Sequence, residues 1–170
     1  MYTYLYDTKI GKISITEDMD ELTGLSFFAD IPEGSKIKET SLLAEAIRQL
    51  TEYLNGKRTV FDLPLNPKGT PFQRKVWQVL TTIPYGETFS YKQVAEAIGN
   101  AKACRAVGMA NNKNPLPVFI PCHRVIGSNG KLVGYGGGLD RKIFLLELEK
   151  NNSQTLTKEL EKIWKNSQNN

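Results

Sequence analysis

The chain is short of the residues from which metal sites and disulfide frameworks are made: its 170 residues include two cysteines, Cys104 and Cys122, and one histidine, His123. Three such side chains cannot complete an all-Cys/His four-ligand zinc site, and a lone disulfide would be at most transient in a reducing compartment. No metal ion or staple is expected. There is no run of 18 or more apolar residues, and Met1-Tyr2-Thr3-Tyr4 opens the chain without the basic stretch or apolar core of a secretory leader. The expected setting is cytoplasmic, away from membranes. Nor is there a phosphate-binding fingerprint, because no Gly-Lys-Ser/Thr follows the glycines of Gly134-Tyr135-Gly136-Gly137-Gly138 and their spacing is wrong for a dinucleotide loop.

What is present is an ordinary globular composition with unevenly placed charge. Residues 1 to 69 hold eight Lys and Arg against eleven Asp and Glu, whereas residues 70 to 150 hold eleven against five. A basic segment beside an acidic one points to a polyanion partner on one part of the surface, although a plain solvated surface can show the same bias.

Residues 1 to 30 alternate with the period of half-buried strands: Tyr2 to Tyr6, Lys12 to Thr16 and Leu22 to Phe28, separated by turn residues. An antiparallel meander is the simplest arrangement. Thr40-Ser41 can cap a helix in which Leu42, Leu43, Ala46, Ile47, Leu50, Tyr53 and Leu54 recur at helical spacing until Asn55-Gly56. Nothing in this unit looks chemical, and Pro64 to Gly69 reads as a linker. Beyond it the pattern is helical. Thr70-Pro71 starts one helix, Ser90 opens another over Tyr91 to Ile98, and a third runs from about Lys102 to Asn112. Gly127-Ser128-Asn129-Gly130 signals a hairpin turn. Leu139 to Lys150 forms a last helix with Ile143, Phe144, Leu148 and either Leu145 or Leu146 on its apolar side. The expected fold is a two-domain α/β (α+β) chain. Residues 1–66 form a small antiparallel sheet plus helix, and residues 67–150 form a mainly helical domain with a helix-turn-helix. Residues 151–170 form a polar tail whose Leu156, Leu160, Ile163 and Trp164 share one side of a helix, to dock on the body or fray.

The chemistry centres on Ile120-Pro121-Cys122-His123-Arg124-Val125. Pro115, Pro117 and Pro121 stiffen the approach to it. A thiolate is a strong soft nucleophile, and an adjacent imidazole is the usual means of generating one near neutral pH. Alone, such a dipeptide more often marks an inert buried thiol. The helix from Lys102 shifts the balance. Ala103, Ala106, Gly108 and Ala110 are small, and Arg105 is its one long cation beyond Lys102. Reading base edges in the major groove needs several long polar side chains. Small residues instead admit close backbone approach, and a single arginine can fill a gap in a base stack. The alanines also suit packing against the preceding helix. In the glycine-rich segment, Tyr135 can cover a flat ligand, although a flexible connector has the same composition.

With these residues in place, the chain closely resembles the O6-alkylguanine-DNA alkyltransferases, or methylated-DNA-protein-cysteine methyltransferases, from about Lys57 to Lys150. The likeness includes Gly69 to Gln73, Ile83 to Thr88, Ser90-Tyr91, Arg105 to Gly108, Asn114 to Pro117, Ile120 to Ile126 and Gly134 to Leu139. Residues 1 to 56 fit the family's ribonuclease H-like N-terminal domain in outline only. The resemblance implies DNA repair by direct, irreversible, stoichiometric transfer of an alkyl group from O6-alkylguanine, and from O4-alkylthymine, to Cys122, without a cofactor. It implies that His123 takes the thiol proton through a bridging water and that Glu149 orients the imidazole, in the manner of a triad. Asn114 then fixes the active-site turn, and Tyr91 hydrogen-bonds the base N3 and crowds a phosphate. Double-stranded DNA is met through its minor groove by Ser90, Lys102, Ala103, Arg105 and Ala106, with Arg105 occupying the place of the extruded nucleotide. Pro117, Val125, Tyr135, Gly136 and Gly137 wall the guanine pocket. Some relatives carry a serine at the position of Gly136, and its absence leaves the acceptance of bulky alkyl groups open. Some bind zinc in the N-terminal domain, for which this chain lacks ligands. A monomer is expected.

Three other readings of the same residues remain. One is a non-enzymatic alkylated-DNA-binding protein, which Cys122 argues against. Another is a helix-turn-helix DNA-binding protein, which the shortage of long polar side chains argues against. The third is a Cys-His-Glu hydrolase, which would turn over instead of stopping.

Overall fold

The structure, a computed structural model, describes residues 1–169. Three strands, β1 (Tyr2–Thr8), β2 (Gly11–Asp18) and β3 (Glu21–Ser26), form the meander that the alternation suggests, with Tyr4 opposite Ile15 and Ile15 opposite Leu25. Met19 and Asp20 turn the chain at φ 50° and 62°, the left-handed pair whose twist suits a tight hairpin. A fourth strand, β4 (Lys36–Ile37), pairs parallel to β1, so the sheet order is β3-β2-β1-β4 and the sheet is mixed, not purely antiparallel. Both β4 residues are exposed, which leaves no alternation in the sequence to reveal them.

The first helix, α1 (Ser41–Leu54), starts where Thr40 Oγ1 accepts the Leu43 N–H at 3.2 Å. It packs Leu43, Ala46, Leu50 and Tyr53 into the core that Ile13, Ile15 and Leu22 supply from the sheet. Each such aliphatic side chain contributes about 1.5–3 kcal/mol on burial. The supposed linker is fastened to the sheet. The Leu22 N–H donates to Pro64 O and the Asn66 N–H to Leu22 O, both at 2.8 Å. Further along the same edge the Leu25 N–H donates to Pro115 O at 2.8 Å. The outer edge of β3 therefore grips both the crossing between the two halves and the turn that precedes Cys122.

Helices α2 (Pro71–Leu80) and α3 (Tyr91–Ala97) each begin with a reciprocal capping box, Thr70 with Gln73 and Ser90 with Gln93. The next, α4 (Cys104–Asn112), begins two residues later than the pattern suggests, because Lys102 lies in the turn and Ala103 has no side chain with which to cap. Trp77 ties α2 to α4 by donating from Nε1 to Ala110 O at 2.8 Å. Two short strands, β5 (Phe89–Ser90) and β6 (Val125–Ile126), pair in parallel. The Gly127 to Gly130 turn closes with a Gly127 N–H bond to Lys131 O at 2.9 Å. No returning strand follows it, because Lys142 Nζ draws in the carbonyls of Val125 and Val133.

The last helix, α5 (Leu139–Gln168), is continuous where the composition suggests a break near Lys150. Its inner face matches the one that apolar spacing selects only at Leu145 and Leu148. Ile143 and Phe144 are 38% and 37% exposed, whereas Lys142, Leu145 and Glu149 are buried. The two charged residues take the inner positions because polar partners await them there. From Gln154 onward every described residue is exposed, including Leu156, Leu160, Ile163 and Trp164, whereas Asn152 at the head of the tail is half-buried and donates to the Tyr85 hydroxyl at 3.1 Å. Among the described residues no helix is long and apolar enough to cross a membrane.

Ending the chain after Gln154 should leave folding stability within about 0.5 kcal/mol of the full chain, since only solvated side chains are removed. Urea unfolding of the two proteins checks this, and a clear loss on truncation would show the tail packing on the body.

Candidate active site

The Cys-His stretch is held by a turn that Asn114 spans. Its Nδ2 donates to Ile120 O at 2.9 Å, and its Oδ1 accepts the Leu116 N–H at 3.0 Å. Between them Val118 sits at φ 73°, a conformation that costs a β-branched residue about 1–3 kcal/mol. The two Asn114 bonds and the buried Leu116 and Ile120 hold it there. Cys122–Arg124 then form one 3₁₀ turn, in which successive side chains fan out about 120° apart. Both Cys122 and His123 are buried as a result.

His123 leads to a buried carboxylate. Glu149 Oε1 lies 2.9 Å from His123 Nε2 and accepts bonds from the Tyr53 hydroxyl at 2.6 Å and Arg124 Nη2 at 2.7 Å. Glu149 Oε2 accepts from Arg124 Nε at 3.0 Å and from the Gly86 N–H at 3.2 Å. Burial opposes ionisation of Glu149, but the bonds and charge of His123 and Arg124 outweigh it and hold the carboxyl at about 2. An ionised Glu149 can only accept, so His123 Nε2 is the protonated ring nitrogen. Nδ1 is then the free lone pair, and it is buried without a hydrogen-bond partner. Burial lowers the His123 pKa below its usual value against the pull of Glu149, so the ring is a neutral base at pH 7.

Cys122 opens onto a cavity of about 250 Å³, close to the lower bound of ordinary ligand sites. Asn114, Pro117, Tyr135, Gly136 and Gly137 line it, and so do Phe27 and Phe28 from the end of β3. Val125 does not line it: the residue is wholly buried and its carbonyl accepts from Lys142 Nζ at 2.7 Å. Burial pushes the Cys122 thiol up, while Asn114, Tyr135 and the Lys142 charge favour the thiolate. The Tyr135 hydroxyl is buried without a partner, so an anionic sulfur beside it would supply an acceptor. A second cavity, of about 290 Å³, touches Arg124 but does not reach Cys122.

The glycine-rich segment is clamped from the N-terminal half. Arg141 donates to Ile10 O and to Gly137 O, both at 2.8 Å, and its guanidinium lies 5.0 Å from the Phe27 ring centre. A Cβ on Gly137 would come within 2.6 Å of that ring, whereas one on Gly136 would make only ordinary contact, 3.7 Å from Asn112 O.

The residues proposed to meet DNA lie apart from this cavity. Lys102, Arg105 and Ala106 are exposed and Ala103 is half-buried. Arg105 makes no hydrogen bond or ion pair among the described residues. The Ser90 hydroxyl is engaged in capping α3. Tyr91 bridges the two regions, with its ring over Gly108 and its hydroxyl donating to Val133 O at 3.2 Å. Burial and the nearby Cys122 raise its phenol. Reasoning from sequence assigned no part to Tyr53, Phe27, Arg124 or Lys142. Tyr53 and Phe27 are hidden among apolar residues of regular elements, and Lys142 lies on a face that looks solvated. Only Arg124, within the motif, carried a sign. Among the described residues no group of three or more His, Cys, Asp or Glu could hold a metal ion.

Comparison with known proteins gives a family. Residues 71–151 match the sequence model of the 6-O-methylguanine DNA methyltransferase DNA binding domain, and residues 1–67 match that of its ribonuclease-like domain. A constitutive methylated-DNA–protein-cysteine methyltransferase of Bacillus subtilis (strain 168) is 49% identical over 152 residues, which is 85% of this chain and 92% of that protein. A methylated-DNA–protein-cysteine methyltransferase of Methanosarcina barkeri is 49% identical over 157 residues, 89% of this chain and 99% of that one. The crystal structure of Mycobacterium tuberculosis OGT in complex with DNA matches with a TM-score of 0.84 at 43% identity, covering 89% of this chain and 94% of that chain.

Two outcomes follow from the geometry. Gly137→Ala should destabilise the protein by about 1–3 kcal/mol, because Phe27 must give way, and Gly136→Ala should be nearly neutral; denaturation midpoints of the pair decide it. Glu149, at about 2 when folded against 4.5 unperturbed, contributes stability above pH 4.5 that is lost as pH falls towards 2. The loss amounts to about 3 kcal/mol. Unfolding free energies between pH 7 and pH 3 should show about 2 kcal/mol of that decline, flattened in Glu149→Gln.

Proposed function

Because this chain belongs to the 6-O-methylguanine DNA methyltransferase family, we propose that Cys122 is the sulfur that receives the alkyl group and that His123, Glu149, Tyr91 and Asn114 serve it. The protein is a DNA-binding repair enzyme that transfers the alkyl group of O6-alkylguanine to a cysteine of its own. The choice of cysteine rests on one observation: Cys122 lines the cavity and precedes the His123–Glu149 pair, whereas Cys104 does neither.

The thiol proton passes to Nδ1 of His123, through a bridging water as the family resemblance implies. The sulfur then attacks the alkyl carbon and forms a C–S bond as the C–O6 bond breaks. The electron pair stays on guanine, whose negative charge is met by the Tyr91 phenol at N3 until a proton restores the neutral base. For this the Tyr91 hydroxyl must leave Val133 O. Asn114 keeps the thiol-bearing turn in place. A thioether has no easy reverse reaction, so each molecule acts once.

The target atom lies inside a duplex, and extruding its nucleotide costs a few kcal/mol. We assign α3 and α4 to a helix-turn-helix that enters the minor groove, with Arg105 as the finger that fills the vacated space. Its exposure, its lack of a hydrogen bond or ion pair among the described residues, and the exposed Ala106 beside it support this. Lys102, Ala103, Ser90 and Ala106 form the surrounding contact. Pro117, Tyr135, Gly136 and Gly137 then face the base, whereas Val125, buried with its carbonyl bonded to Lys142, has no part in the pocket wall. O4-alkylthymine belongs to the same proposal, since it offers the same alkyl carbon on an exocyclic oxygen. So does a division into residues 1–66 and 67–150, for which the break between the two family matches argues, and so does a cytoplasmic monomer.

Incubation with methylated DNA should raise the intact mass by one methyl group, mapped to Cys122. A protein that gains no mass there would overturn the assignment. Cys122→Ala should still bind DNA, in a salt-sensitive and nearly sequence-blind manner. Arg105→Ala should slow duplex repair by about tenfold yet spare reaction with free O6-alkylguanine analogues, because only the duplex requires extrusion. Equal loss on both substrates would remove the finger role.

A further inference from the structure

Tyr53 lies on α1, in the half of the protein whose sequence carries no sign of chemistry, yet its hydroxyl ends inside the relay. It donates to Glu149 Oε1 at 2.6 Å and lies 3.3 Å from His123 Nε2. The phenol has one proton, and the short bond commits it to the carboxylate. Its oxygen can then only accept from Nε2–H, sharing that proton with Glu149 at 2.9 Å. The three groups form a closed triangle, fully buried. Resting on the proposed roles of Cys122 and His123, we propose that Tyr53 is a positioning residue of alkyl transfer: its hydroxyl holds Glu149 against His123 Nε2, so that the N-terminal half takes part in activating the thiol.

The surroundings fit a fixed hydrogen-bonding role. The Tyr53 ring is held by Phe61, with ring centres 5.2 Å apart, and meets Tyr85 edge-on at 6.0 Å. Tyr85 in turn lies under the Arg124 guanidinium at 5.7 Å. Burial and the Glu149 charge raise the phenol well above its ordinary value, so it remains a donor throughout the working pH range. The charged and titratable groups around His123 are Glu149 and Lys142 from α5, Arg124 and Cys122 from the 3₁₀ turn, and Tyr53 from α1. Tyr53 alone comes from the N-terminal half. Glu149 and the phenol oxygen both favour the protonated ring, so without the hydroxyl Glu149 is held less firmly at Nε2, the imidazolium loses support and His123 becomes a weaker base.

The test uses Tyr53→Phe, which retains the ring and its packing. The chain has one histidine, so an NMR titration of the unreacted protein reports on His123 without ambiguity. The His123 midpoint should move down by about half a pH unit, and the acid limb of the transfer rate should move with it. The rate at pH 7 should fall by about tenfold, the share of one hydrogen bond to a charged group. Phe61→Leu is the control for packing: it loosens the same aromatic cluster but keeps the hydroxyl, and should lower the melting temperature while leaving the His123 midpoint in place. An unchanged rate and unchanged acid limb in Tyr53→Phe would overturn the proposal, as would an equal shift of midpoint in Phe61→Leu. Peptide mapping separates this from the reading it rests on. Alkylation of Cys122 in both proteins with identical pH profiles removes Tyr53 alone, whereas absence of alkylation at Cys122 in the parent protein removes the relay.

Discussion

The structure depends on the burial of one carboxylate. Glu149 is 1% exposed, and an isolated charge at such a site costs several kcal/mol unless it is fully compensated. Its donors come from α1, from the 3₁₀ turn after Pro121 and from the loop at Gly86, three regions that also meet where Tyr53 packs on Tyr85 and Arg124 donates to Ile83 O. Because removing any one leaves the charge less satisfied, the carboxylate fixes their relative placement. It also sets the rotation of α5. With Glu149 and Lys142 turned inward, Ile143 and Phe144 must face outward, at odds with their hydrophobicity.

The same logic explains why the cavity lies where the two halves meet. The C-terminal half supplies the thiol, its base and the strained turn at Val118, but it does not close the pocket alone. The edge of β3 takes the Pro115 carbonyl, Phe27 presses on Gly137, and Arg141 bonds a carbonyl from each half. Gly137 is thus fixed by the ring laid against its missing side chain, whereas Gly136 next to it is not. The sheet that looks like a spacer in the sequence is one wall of the site.

This division marks what the sequence could reveal. Elements with strong local signals were legible: the meander, the helix starts at Thr70 and Ser90, the helix ending at Asn55-Gly56, and the Cys122-His123 stretch. Asn114 and Glu149 came only through resemblance, since nothing in their own neighbourhoods marks them as functional. What stayed hidden is set by contacts far apart in the chain. The β4 pair has no alternation, the fastening of Pro64 to Asn66 depends on a distant strand edge, and the inner face of α5 is chosen by partners 9 to 96 residues away. Tyr53 shows the limit most clearly. It occupies an apolar position of an amphipathic helix and reads as core, which it is, but its one polar atom does something that no spacing rule records.

A protein consumed by its own reaction must avoid being consumed by anything else, and this bears on why the thiol is buried. A thiolate open to solvent reacts with any available oxidant or electrophile. Here burial keeps the proton on Cys122 in the resting protein, while the groups that favour the anion, Asn114, Tyr135 and Lys142, are already in place around the sulfur. His123 waits as a neutral base with Nδ1 free. The site therefore holds acid and base close to each other without exchange at rest. On the proposed assignment of Cys122, filling the cavity with a base brings the alkyl carbon to the sulfur, so that charge forming there is used at once in bond formation. On the proposed reading, selectivity for alkylated DNA lies less in recognising the lesion than in withholding the nucleophile from every other partner.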